Sequence, residues 1–311
     1  MKVFINRKSV IGPWGGGNKI VIGMFKYSHL YGIELTNSLT EDVKAVFMIN
    51  PYPDHANNIP IGINEILRHK NTYPNTKLIH RVNDKNIGRI PVDTRFDELY
   101  KECSKYCEGT IFVSNWLKDY YFEKGWHCQN NKVIINGVDR DIFKSRNNKI
   151  SLENKKLNIV THHWSNNPGK GFDIYDQLEK FCHENSNKYT FTYIGRHRDN
   201  FKYCKTVGPL FGSALGEELS KYDLYVSASQ YEAGPNHILE SLASEIPVLV
   251  IDRSGGGIEM VASQKNIFSN SEELIEKIKT NDYSKQITYK PKDMKDFIGE
   301  YCNYINEVAG K

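Results

Sequence analysis

The chain has 311 residues, 39% of them hydrophobic and 12% aromatic, enough for one large domain or two of ordinary size. Formal net charge is +4 and no long basic run occurs, which argues against nucleic acid as a partner. No apolar run reaches membrane-spanning length and no signal-peptide pattern opens the chain, so the expected setting is cytoplasmic, at most peripheral to the inner face of a membrane.

Short apolar runs alternate with helical patterns, the mark of parallel α/β architecture. Residues 2–6 open as a strand. A loop with Gly12, Gly15, Gly16 and Gly17 leads into an apolar helix through Ile20, Ile22, Met24 and Phe25. Residues 43–49 and 77–82 read as strands and 96–107 as an amphipathic helix. Residues 110–113 form another strand, with Ser114 or Asn115 capping the next helix, and 132–135 close the first set. Residues 145–156 are polar and charged, as expected of a linker. A second set follows, with strands at 157–161, 189–194, 224–226 and 247–251. Residues 293–308 form a last amphipathic helix, with Phe297, Ile298, Tyr301 and Ile305 on one side. The six cysteines, at 103, 107, 128, 182, 204 and 302, have neither disulfide-framework nor zinc spacing. Reduced thiols are expected.

The most informative stretch is Ser229-Gln230-Tyr231-Glu232-Ala233-Gly234-Pro235-Asn236-His237-Ile238-Leu239-Glu240. Glu232 falls at the carboxyl end of the run Leu224-Tyr225-Val226, on the edge where open α/β sheets bind ligands. Glu240 falls on the next helix, with Asn236 as its expected N-cap. Ile238, Leu239, Leu242 and Ala243 share one face, and His237, Glu240, Ser241 and Ser244 the polar one. A helix N-terminus there offers N–H groups and a positive dipole end to a phosphate. Two glutamates alone are also compatible with ordinary surface acids.

This segment, continuing through Ile246-Pro247-Val248 to Gly255-Gly256-Gly257-Ile258-Glu259-Met260-Val261, resembles the E-x7-E region of family-4-type retaining glycosyltransferases of GT-B fold. The resemblance spans roughly residues 157–261. It implies two Rossmann-like α/β domains facing a central cleft. The expected division is 1–148 on the acceptor side, 149–290 binding the nucleotide sugar, and 291–311 as a helix packing back on the first domain. It implies Glu240 on the ribose hydroxyls and Glu232 on the transferred sugar. Gly234, Asn236, His237, Ile238 and Leu239 would meet the diphosphate at the helix start. Lys170-Gly171 matches the family's Lys-Gly, whose lysine binds the diphosphate. Ser165 stands where many relatives carry an arginine, and Arg196 or Arg198, after Gly195, is the candidate replacement. Gly16 and Gly17 match a glycine-rich loop that lies against donor and acceptor.

On the acceptor side the candidates are Trp14, His55, His80 and Asn83. Asn83 aligns where many relatives place a histidine. Asp139-Arg140-Asp141 matches a metal-binding pattern of a different glycosyltransferase fold, but it lies in the Asn136-Gly137-Val138-Asp139 segment that resembles the interdomain stretch of this one. No metal and no cofactor are therefore expected. The expected activity is transfer of a sugar from a nucleotide-diphosphate donor to a glycan, lipid-linked or small-molecule acceptor, with retention. The alternatives are a nucleotide-sugar epimerase of the same fold and a non-catalytic glycan- or nucleotide-binding module.

Overall fold

Parallel strands covered on both faces read as near-continuous apolar runs, and those runs become two sheets. The computed structural model describes residues 1–10, 12, 15–53, 58–88, 95–126, 128, 130–145, 156–197, 201–261 and 263–310. Trp14, His55 and Arg198 lie outside the described residues. The first sheet comprises β1 (Lys2–Ile5), β2 (Glu34–Thr36), β3 (Ala45–Met48), β4 (Lys77–Val82), β5 (Gly109–Phe112) and β6 (Asn131–Val133). Its order is β2-β1-β3-β4-β5-β6 and every pair is parallel. The crossovers carry α1 (Gly15–Tyr27), α2 (Ile63–Thr72), α3 (Arg95–Ser104) and α4 (Asn115–Glu123). Ser114 caps α4, accepting the Leu117 N–H at 3.1 Å. Gly15, Gly16 and Gly17 form the first turn of α1 rather than a loop.

The second sheet comprises β7 (Leu157–His163), β8 (Tyr189–Gly195), β9 (Lys205–Val207), β10 (Leu224–Ser227), β11 (Val248–Ile251) and β12 (Ile267–Phe268). Its order is β12-β11-β10-β7-β8-β9, again all parallel. Helices α5 (Phe172–Glu184), α6 (Gly212–Leu219) and α7 (Asn236–Ala243) lie between its strands, and α8 (Ser271–Thr280) follows the last of them. The chain steps outward from β7 to β8 and β9, then returns through α6 to β10 on the other side of β7. That reversal is a topological switch point. Ligands of such sheets bind in the crevice beyond the carboxyl ends of the two strands that flank it.

The last helix, α9 (Met294–Ala309), joins the first sheet. Its Phe297, Ile298, Tyr301 and Ile305 share one core with Ile20, Met24 and Phe47. Arg81 of β4 is 1% exposed and donates at 3.0 Å to both Tyr301 and Asn136. Residues 1–86, 92–137 and 292–311 form one compact unit; residues 87–91 and 138–291 form the other. Contacts thus divide between Gly137 and Val138, whereas the sequence reading drew its line at 148. Asp139 closes a turn there: its carboxylate accepts the Asp141 N–H at 3.1 Å and its carbonyl the Phe143 N–H at 2.9 Å.

Candidate active site

At the switch point of the second sheet, the loop after β7 meets the loop after β10. Their approach is closed by backbone. The Gln230 N–H donates to the Gly169 carbonyl at 2.9 Å. Gly171 is left-handed, with φ 79°, and a Cβ there would stand 2.4 Å from the Ala228 carbonyl oxygen. Only glycine tolerates both conditions, so the residue after Lys170 is fixed by packing against the end of β10. Tyr175 of α5 adds a tie, accepting the Ala228 N–H at 2.9 Å and the Thr161 hydroxyl at 3.0 Å.

Lys170 ends a short 3-10 turn whose start is capped by Asn167, which accepts the Gly169 N–H at 2.9 Å. Its ammonium group donates to Glu232, as does the Ser229 hydroxyl. Lys170 and Glu232 keep about a fifth of their side chains exposed, 20% and 21%. Glu232 is held by its backbone as well: its N–H donates to the Ser254 carbonyl at 2.9 Å, and its carbonyl accepts the Gly256 N–H at 2.8 Å. These bonds make a parallel bridge between Glu232 and Gly255, so the glycine-rich turn serves as a rail for the loop that carries Glu232. Burial pushes the Glu232 carboxyl up, but the Lys170 ammonium, His237 and the Ser229 hydroxyl outweigh it and hold the group well below the usual carboxylate range. Glu232 is therefore a fixed anion beside a fixed cation.

Helix α7 begins at Asn236, with Pro235 in the cap position, one residue earlier than the Asn236 cap expected from sequence. Proline has no side-chain acceptor, so the cap residue itself makes no side-chain bond to the first turn. The helix presents its positive end to the Lys170–Glu232 edge. The two-faced helix read from sequence is corrected here. Residues 237–243 are all buried, Glu240 among them at 3% exposure. The Glu240 carboxylate lies 2.8 Å from the Nε2 of His162. Deleting it removes a buried charged acceptor from that ring, so Glu240→Ala should lose about 1–3 kcal/mol of stability. An unchanged denaturant midpoint for the second unit would restore the solvated-face reading.

Beyond β8, Gly195 has φ 120°, and a Cβ on it would fall 2.0 Å from the His163 carbonyl oxygen. Arg196 is thereby drawn close: its N–H reaches that carbonyl at 3.2 Å, and its guanidinium lies 4.0 Å from the centre of the Trp164 ring. A stacked guanidinium of this kind is oriented as well as charged. His162 and His163, read from sequence as following the strand, are its last two residues. His163 shares its Nε2 with the Tyr175 hydroxyl at 2.8 Å. Burial, then the neighbouring His237, Lys170 and His162, hold His163 well below the ordinary histidine range, so its ring is neutral. His237 sits 3.0 Å from the Ser227 hydroxyl. The roles of His162, Tyr175, Trp164 and Ser229 were missed from sequence. For the histidines the signal was the continued alternation Thr161-His162-His163 at the end of an apolar strand.

In the first unit, Gly16 and Gly17 open α1, and a Cβ on Gly17 would touch the Arg7 guanidinium at 3.1 Å. Asn83 follows β4 at its carboxyl end, and its amide is satisfied when the nitrogen is turned to the Ile49 and Arg81 carbonyls, 3.2 Å from each. His80 does not reach that edge. It lies within β4, fully buried, its ring edge-on to Tyr100 at 5.1 Å. Strand alternation turns it into the core with Leu78, which corrects its place among the acceptor-side candidates.

Residues 184–288 match the family model described as "Glycosyl transferases group 1". That segment holds Glu232, Glu240 and the glycine-rich turn but begins after His162 and Lys170. Among curated protein sequences none matches the chain. The fold is similar to the pneumococcal O-GlcNAc transferase GtfA, solved with UDP and GlcNAc (TM-score 0.63, 12% identity, 86% of this chain and 57% of that one). It is similar to Anabaena HepE, solved with UDP and glucose (TM-score 0.67, 15% identity, 99% and 98%). It is also similar to the sucrose-phosphate synthase of Thermosynechococcus elongatus (TM-score 0.65, 11% identity, 99% and 96%). The chain thus spans little more than half of GtfA and nearly all of the other two. These likenesses establish the GT-B fold.

Proposed function

We propose that the chain is a glycosyltransferase that takes a sugar from a nucleotide-diphosphate donor and transfers it with retention to a glycan, lipid-linked or small-molecule acceptor. The observation that carries this reading is the convergence of Lys170, Glu232 and the start of α7 at the switch point of the second sheet. A donor laid along that edge meets cationic groups at its phosphates and a carboxylate at its sugar. The group 1 match over residues 184–288 and the UDP in the two similar structures support it.

In this reading the bond between the anomeric carbon and the diphosphate oxygen breaks through an oxocarbenium-like state. The acceptor oxygen forms the new bond on the same face, and its proton passes to the departing phosphate oxygen. Lys170, Arg196 and the N–H groups of residues 236–239 take up the charge on the leaving group, and Glu232 faces the transferred sugar. Glu240 serves the ribose. Each preorganised donor to the leaving group contributes on the order of 3 kcal/mol in the transition state.

Because lysine, arginine and helix N–H groups supply this charge, the reaction is expected to need no divalent metal. The test is calorimetry with UDP, GDP and ADP, followed by turnover of the matching sugar nucleotides in chelator. One of the three should bind, and slow hydrolysis or transfer should persist without metal. Binding of none would overturn the reading. Activity that vanished in chelator and returned with manganese or magnesium would overturn its metal-free form.

A further inference from the structure

His162 lies at the last full turn of the strand pleat in β7, on the face toward α7. Its backbone is gripped from β10: the Tyr225 hydroxyl accepts the His162 N–H at 3.1 Å and lies 3.2 Å from its carbonyl oxygen. Its ring stands edge-on to the Tyr225 ring at 5.4 Å and to His237 at 6.1 Å. The side chain is 8% exposed and Glu240 4%. So a strand residue with little freedom holds one oxygen of a long carboxylate on the neighbouring helix.

We infer that His162 is the positioning residue for Glu240, anchoring its Oε2 and so fixing the carboxylate that serves the nucleotide's ribose hydroxyls. The inference rests on the nucleotide-sugar reading of the second unit. A glutamate has three side-chain torsions to freeze before it can discriminate one hydroxyl from none, and the entropy of that freezing weakens any contact it makes. Supporting hydrogen bonds to a ligand-contacting group remove that cost in advance. The pair also joins the two strands that flank the switch point, because β7 carries the anchor and the helix after β10 carries the carboxylate. Sequence offers a reason for two adjacent histidines here: alternation sends His163 to Tyr175 of α5 and His162 to Glu240 of α7. The two therefore have separate tasks.

The distinguishing readout is ribose discrimination, which a merely structural histidine would not set. Calorimetry compares UDP, GDP and ADP with their 2′-deoxy counterparts on the wild type and on three variants, each first checked for a cooperative melt. The wild type should prefer its ribonucleotide by about tenfold or more, the worth of a hydrogen bond to a charged group. His162→Leu should lose that preference while keeping its affinity for the deoxynucleotide. His162→Gln, whose amide nitrogen reaches as far as Nε2, should retain most of it, and His162→Asn, one carbon shorter, should not. If His162→Leu fails to melt cooperatively, the Gln and Asn pair decides. Wild-type preference in a folded Leu or Asn variant would overturn the inference and leave the nucleotide site standing. A wild type that binds none of the nucleotides would overturn the site itself.

Discussion

Glu232→Gln should lower kcat by on the order of 10²–10³-fold while leaving the affinity for free nucleoside diphosphate unchanged or slightly tightened. The variant keeps the shape of the side chain and one acceptor oxygen, and loses only the charge. Positive charge on the sugar develops in the transition state and not in the bound donor, so the loss belongs in kcat rather than in KM. The sign of the binding effect comes from Lys170. In the wild type its ammonium group is committed to the Glu232 carboxylate. A neutral amide releases that lysine to the diphosphate, which has no sugar of its own to miss Glu232. Glu240→Gln should behave in the opposite way, weakening free nucleotide and raising KM. Equal losses of nucleotide affinity in the two variants would place Glu232 at the wrong end of the donor. Near-normal rates in both would remove them from the reaction.

The two glutamates were legible as a pair because their spacing is a matter of sequence: one at the end of a buried strand, one on the helix that follows. What surrounds them was not. The polar face assigned to α7 assumes that one side of a helix meets water. This helix has eight residues, and its first turn is packed so closely by the glycine-rich segment that a Cβ on Gly257 would stand 2.8 Å from Ile238. With β7 supplying His162 to the other side, little of the helix is left for solvent, and Glu240 keeps 3% exposure. Periodicity reports which residues are apolar, and a polar residue with a buried partner leaves no trace in it. The partner lies 78 positions away on a strand that sequence ended two residues early.

The central strands were readable for the same reason in reverse. β3 and β11 are buried along their whole length and wholly apolar, and β10 is apolar up to its closing Ser227; β4 is nearly as buried but carries His80 and Arg81 within its run. The edge strands β2, β9 and β12 were not found. They are two or three residues long, and β2 and β9 are partly exposed, so they carry neither a run nor an alternation. The return of α9 was expected only from resemblance. Its physical cause is the apolar side formed by Phe297, Ile298, Tyr301 and Ile305, together with Arg81, a buried cation that needs the Tyr301 hydroxyl.

The first unit should lose stability steeply with acid, and His80 should be the reason. Its ring is fully buried in β4 and neither ring nitrogen has a hydrogen-bond partner among the described residues. Burial pushes its pKa from 6.5 down to about 3. Above pH 6.5 the ring is neutral in both folded and unfolded chains, and its titration costs nothing. Below that value the unfolded chain takes up a proton that the folded chain refuses until about pH 3. The unfolded state binds more protons across this window, so stability falls as pH falls. The slope is about 1.4 kcal/mol per pH unit, and over the full window the loss is a large part of a typical domain's stability. His80→Leu removes the titrating group and fills a site already lined by Leu78 and Tyr100. Denaturant unfolding of the first unit at several pH values should therefore show the wild type falling away from the variant between pH 6.5 and 3, with the two curves running parallel above it. Nitrogen-15 spectra offer a second reading, in which the His80 ring stays neutral at pH 5 while exposed histidines protonate. Parallel stability curves throughout, or a His80 ring that titrates near 6.5, would show that water reaches this strand.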